Sequence, residues 1–137
     1  MDLLSITASV IAIVQLTGTV IGYLHDVKDA PKDCKVVKVE VANLYSLLIR
    51  LQCHLEQDDV NSPWYTAVRA LNASGGPFDQ YLQSLQQLES KIAGDGRAHK
   101  FRRALVWIFS KEAVASILGR IERLKALIAI ALEMDHL

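Results

Sequence analysis

The stretch Leu3–Leu24, LLSITASVIAIVQLTGTVIGYL, decides how this chain is read. No formally charged side chain falls between Asp2 and Asp26. A spanning helix needs about 20 mostly apolar residues, so the stretch is long enough to cross a bilayer. It makes a poor secretory signal, because Asp2 stands where a basic n-region belongs and the apolar run exceeds a normal h-region. The choice is therefore between a membrane helix and one helix of a soluble core. Spacing bears on that choice. Leu3, Ile6, Val10, Ile13, Thr17, Val20, Leu24 and Val27 recur at alternating threes and fours, which makes one stripe along a helix. Ser5, Ser9, Ala12 and Thr19 fall off the stripe and are small or polar. A helix built only to face lipid has no cause for such one-sidedness, so the spacing predicts a core helix at rest.

The same period recurs down the chain. Pro31, with its fixed φ and missing N–H, stops the first helix and suits the first turn of a second. Val37, Val41, Leu44, Leu48, Leu51 and Leu55 form the second stripe, ending near Glu56-Gln57-Asp58-Asp59. The short connection favours antiparallel packing of these two helices. Asn61-Ser62-Pro63 reads as a helix start, with Ser62 as cap, and a short helix through Trp64, Val68 and Leu71 follows. Ser74-Gly75-Gly76-Pro77 separates it from a third long stripe, Phe78, Tyr81, Leu85, Leu88 and Ile92, closed by Gly94-Asp95-Gly96. Val114, Ile117, Ile121, Leu124, Ile128 and Ala131 make the last, with Ser110 as cap and Glu112 in its first turn. The expected fold is all-α, an antiparallel helical bundle of four long helices plus a short connecting helix, over residues 1–137 as one domain.

Composition agrees with a folded globular domain: 51% of the 137 residues are apolar and 22% charged. Fifteen basic residues balance fifteen acidic ones, so the basic excess of a nucleic-acid binder is absent and no nucleic-acid partner is expected. Catalytic signatures are missing as well. No GxxxxGK[ST], GxSxG or HExxH pattern occurs, and the glycine pairs read as turns between helices. His25, Cys34, Cys53 and His54 lack zinc-ligand spacing, since adjacent Cys53 and His54 diverge by about 100° on a helix. Two cysteines make no disulfide framework and read as reduced thiols. The chain is expected to be no enzyme and to need no cofactor or metal.

Two features stand above this background. Gly18 and Gly22 form GxxxG inside the opening helix, a spacing that permits close helix approach in lipid. The second is RAHKFRRALVWIFSKE, where Arg97, Lys100, Arg102, Arg103 and Lys111 precede the first acid, Glu112, with Phe101, Trp107 and Phe109 interleaved. Against an anionic leaflet each such base is worth about 1 kcal/mol, and tryptophan suits the interface. The plainer reading is a solvated edge whose aromatics point into the core.

The two ends together resemble fungal HeLo-like N-terminal domains. MDLLSITASVIAIVQLTGTVIGYLHDVKDAPKD is similar to their opening, and ALVWIFSKEAVASILGRIERLKALIAIALEMD to their closing helix, including Trp107, Phe109, Lys111, Glu112 and the IERLK run at Ile121 to Lys125. The resemblance implies an effector domain at the N-terminus of a longer protein, ahead of a NACHT-type NTPase, repeat or amyloid-signalling region. Some members are cell-death executioners that oligomerise and insert their first helix into the plasma membrane. The resemblance thus implies a cytoplasmic resting state and a plasma-membrane active one, with copies of itself as partners. Insertion then falls on Leu3, Ile6, Val10, Ile13, Val14, Val20, Ile21 and Leu24. Helix packing in lipid at Gly18 and Gly22, and contact with anionic lipids as a partner at Arg97, Lys100, Arg102, Arg103, Trp107 and Lys111, are expected from the residues themselves and not from the resemblance. The alternative is a non-lytic scaffolding module that regulates an attached NTPase or other domain. Gln15, Thr17 and Thr19 make the middle of the first helix rather polar for a span, so an inserted form calls for several copies with polar faces turned inward.

Overall fold

The computed structural model of the chain describes residues 3–27, 29–57, 63–93 and 109–134. These residues form helices α1 (Leu3–His25), α2 (Lys32–Gln57), α3 (Pro63–Leu71), α4 (Pro77–Ala93) and α5 (Lys111–Met134), with no strand among them. The fold is all-α.

Local chemistry explains the helix ends. After α1 the chain turns through Asp29, whose φ of 53° is left-handed, a conformation that aspartate tolerates better than most residues. Pro31 lies one residue before α2, and its carbonyl accepts the Lys35 N–H at 3.2 Å. Gly75, at φ 72°, makes the turn into α4, and its N–H donates to the Asp79 carboxylate at 2.7 Å. Ser110 caps α5 as expected, its Oγ accepting the Ala113 N–H at 3.1 Å. The expected cap Ser62, the acidic pair Asp58-Asp59 and the Gly94-Asp95-Gly96 turn lie outside the described residues.

The stripes go inside. Ile6, Val10, Ile13, Val20, Leu24 and Val27 of the first are buried, as are Val37, Val41, Leu44, Leu48, Leu51 and Leu55 of the second. Phe78, Tyr81, Leu85 and Leu88 join them from α4, and Val114, Ile117, Ile121, Leu124, Ile128 and Ala131 from α5. Trp64, Tyr65, Val68 and Leu71 bury one side of α3. Together they make a single hydrophobic core.

Contacts run α1 to α2, α2 to α5, α5 to α4 and α4 back to α1, a closed ring, while α3 packs on α5. Pairs of contacts give the helix directions. Lys38 reaches His25, and Tyr45 lies against Gly18, so α1 and α2 are antiparallel. Lys91 sits over the Phe109 ring, and Arg120 bonds Gln80 and Ser84, so α4 and α5 are antiparallel too. Glu40 pairs with Lys125, while Leu47 and Arg50 share a groove with Ala129, Leu132 and Glu133. Hence α2 and α5 run side by side in the same direction. Spatial neighbours among the long helices do not all alternate in direction, so the expected antiparallel arrangement is met only for the α1/α2 and α4/α5 pairs. The connector α3 is the reason: by packing on α5 it carries the chain away from α2, and α4 lands between α1 and α5.

Both cysteines sit on α2, Cys34 buried and Cys53 exposed, and both are free. Nineteen positions apart on one helix, they are separated by about 28 Å and have no reach for a mutual disulfide. Among the described residues no group of His, Cys, Asp and Glu is placed to hold a metal ion.

Candidate functional site

The structure divides the residues of α1 into two sides. Ile6, Val10, Ile13, Val14, Val20 and Leu24 are in the core, and Ile21 is half-buried against it. Leu3 is the first residue of the helix. The opposite side meets water through Ala8, Ala12, Gln15, Thr19 and Gly22. Nothing in α1 is Asp, Glu, Lys or Arg, so this water-facing side carries no charge until His25. The other long helices behave differently. The exposed residues of α2 include Lys32, Lys35, Arg50 and Glu56, and those of α5 include Lys111, Glu112, Glu122, Arg123 and Glu133. A helix at the edge of a water-soluble core ordinarily shows such charges. α1 shows none.

Its polar groups are also largely satisfied from within. The Thr17 hydroxyl donates to the Ile13 carbonyl at 2.7 Å, and the Thr19 hydroxyl to the Gln15 carbonyl at 3.1 Å. Both threonines return their proton to their own helix, which is how polar side chains are tolerated in a membrane span. The polarity that the sequence places mid-helix therefore rests mainly on Gln15.

Thr17 has a second role. It is fully buried, and its oxygen lies 2.9 Å from the Tyr81 hydroxyl on α4. Since the single Thr17 proton goes to Ile13, the Tyr81 O–H is the donor of this bond. Burial pushes the Tyr81 phenol well above its ordinary range. This pair ties α1 to α4 inside an otherwise apolar core. At the lower end of α1, Lys38 donates to His25 Nδ1 at 2.9 Å and ties it to α2.

The two glycines have different surroundings. A Cβ on Gly18 would meet the Tyr45 ring at 3.6 to 3.9 Å, so Gly18 lies under α2, while nothing stands within 4 Å of such an atom on Gly22. GxxxG is therefore half covered in this fold. Of the basic-aromatic segment, Lys111 is exposed at the start of α5 and Phe109 is buried under Lys91. Arg97, Lys100, Arg102, Arg103 and Trp107 lie outside the described residues. The Thr17–Tyr81 pair was not foreseeable from the stripes, although both residues fall on them.

Among the described helices α1 alone, over Ile6–His25, is long and apolar enough to cross a membrane, and a third of that stretch is buried. Comparison of the chain with known protein families, with characterised proteins and with solved structures finds no match.

Proposed function

We propose that the chain is a HeLo-like effector domain, a helical bundle of four long helices whose α1 rests in the core and passes into a membrane when copies assemble. The observation that carries this reading is the water-facing side of α1, which is small, weakly polar and uncharged from Ala8 to Gly22. Moving a charged side chain to the middle of a bilayer costs about 2.5–3.5 kcal/mol on insertion scales, and α1 has none to move. Its two mid-helix threonines already bond to their own backbone. The cell-death or defence role, the cytoplasmic resting location and the attached NTPase, repeat or amyloid-signalling region belong to this proposal through the resemblance alone.

The test is dye release from liposomes with and without anionic lipid, comparing the intact chain with Ala12→Lys. Ala12 is exposed, so the substitution leaves the fold within about 0.5 kcal/mol of its stability. The insertion penalty of that lysine corresponds to a loss of leakage of about 100-fold. Leakage by the intact chain that Ala12→Lys abolishes supports insertion of α1. Absence of leakage even from artificially oligomerised protein turns the reading to the non-lytic scaffolding module, for which the exposed Val36, Val39 and Ile130 offer docking surface.

A further inference from the structure

The large apolar side chains left open to water, among the described residues, are Val36, Val39, Ile49 and Ile130, all on α2 or α5. Val36 and Val39, 39% and 55% exposed, line a shallow groove with Lys32, Lys35 and Glu40. Glu40 reaches over to Lys125 of α5 at 2.7 Å. Further along the same seam, Leu47 and Arg50 of α2 face Ala129, Leu132 and Glu133 of α5 across a second groove. Ile130, on the same helix as Ala129 and Glu133, is 55% exposed. Arg50 and Glu133 are exposed on either wall, and neither forms an ion pair among the described residues.

We propose that the α2/α5 seam docks a second copy of this chain about a two-fold axis parallel to these helices. The parallel run of α2 and α5 is what makes this contact self-complementary. Such an axis lays α2 of one copy on α5 of the other in the same direction and at the same level. Arg50 then meets the other copy's Glu133 twice, once on each side of the axis. The exposed charges of α2 on this side, Lys32, Lys35 and Arg50, are basic, whereas α5 offers Glu122 and Glu133 toward α2. Opposite charges therefore meet at Arg50 and Glu133, and the exposed Val39 and Ile130 add apolar surface at separate levels of the seam. In the ring of helices this seam lies opposite α1 and α4, so docking leaves the water-facing side of α1 free. The proposal deepens the effector reading, to which it adds the surface that brings copies together.

Sedimentation velocity on the intact chain, over a concentration series without lipid, tests it. The expected result is a dimer whose Kd rises roughly tenfold or more in Ile130→Asp, in Arg50→Glu and in Glu133→Arg, as for central interface residues. The exchange Arg50→Glu with Glu133→Arg should bring the Kd back to about that of the original chain, which neither unfolding nor unspecific association would do. A chain that stays monomeric to about 1 mM overturns the proposal, as does association that ignores these substitutions. So does a monomer in which Ile130→Asp and Arg50→Glu instead reduce binding to phosphatidylserine vesicles, because the seam then faces lipid. No lipid enters the main assay, so its failure stays separate from failure of α1 insertion.

Discussion

Replacing Thr17 by valine should cost more than replacing Tyr81 by phenylalanine, and replacing both should cost less than the sum. Valine nearly keeps the shape of threonine but removes the oxygen that accepts the Tyr81 O–H at 2.9 Å. Tyr81 is fully buried, so its hydroxyl is then a donor without an acceptor, at a cost of about 1–3 kcal/mol. Phenylalanine at 81 removes the donor itself. Thr17 still donates to Ile13 at 2.7 Å, so no buried donor is orphaned, and the loss is about 1 kcal/mol. In the double variant neither hydroxyl is present, and the pair should show a coupling of about 1 kcal/mol or more. Urea unfolding followed by circular dichroism on the four chains measures it. Alkaline pH adds an independent arm. Burial raises the Tyr81 pKa, so the folded chain keeps its proton where the unfolded chain, titrating near pH 10, releases it. The unfolded state then binds fewer protons, and stability falls as pH rises above about 10. Tyr81→Phe removes that component, so its deficit should shrink between pH 9 and 11, about one unit to either side of the free phenol's pKa. Additive single substitutions, or a Thr17→Val chain as stable as the original, would refute the bond and with it the tie between α1 and α4.

Glu40→Gln should lower stability at pH 7 by about 0.5 kcal/mol, the size of a partly exposed ion pair. The hydrogen bond from Lys125 holds the Glu40 carboxyl below its ordinary range, so its contribution is present above about pH 4.5 and lost as pH falls through the folded pKa. Unfolding curves of the two chains should therefore converge at acid pH. Ser110→Ala removes the acceptor of the Ala113 N–H and should cost about 1 kcal/mol by urea unfolding, with fraying at the start of α5 in hydrogen exchange. Gly22→Ala should stabilise by about 0.5–1 kcal/mol, because its Cβ points into open space and α1 is helical throughout. A lower melting temperature for that variant would mean that Gly22 is covered in solution.

The core was legible because each stripe keeps the 3.6-residue period without interruption. Thr17 shows how far the pattern reaches, for it falls on the stripe of α1 as a polar residue and is fully buried there. What the pattern does not hold is which helices touch. Arg120 bonding Gln80 and Ser84, or Tyr81 meeting Thr17, depends on where α3 delivers α4, and that follows from Trp64, Val68 and Leu71 packing on the core. The candidate site was half legible. The absence of charge in α1 is plain in the sequence, whereas the side that water meets needed the fold. The basic-aromatic segment, apart from Phe109 and Lys111, lies outside the described residues and stays an expectation.

The energetics of α1 constrain how the proposed insertion can proceed. Ile6, Val10, Ile13, Val14, Val20 and Leu24 are buried, and exposing such side chains costs about 1.5–3 kcal/mol each. For six of them the total is about 9–18 kcal/mol, as large as the whole stability of an ordinary domain at about 5–15 kcal/mol. Release of α1 into water is thus equivalent to unfolding. Release into lipid returns most of that transfer term to α1, and Thr17 keeps its bond to Ile13 on the way. The remaining cost sits on the helices left behind, where Tyr81 loses its acceptor and Tyr45 loses its contact with Gly18. On the proposed mechanism α1 therefore leaves only where lipid already lies against its uncharged side. Docking at α2/α5, on the opposite side of the ring, serves that order of events, because it gathers copies without covering the helix that has to reach the membrane.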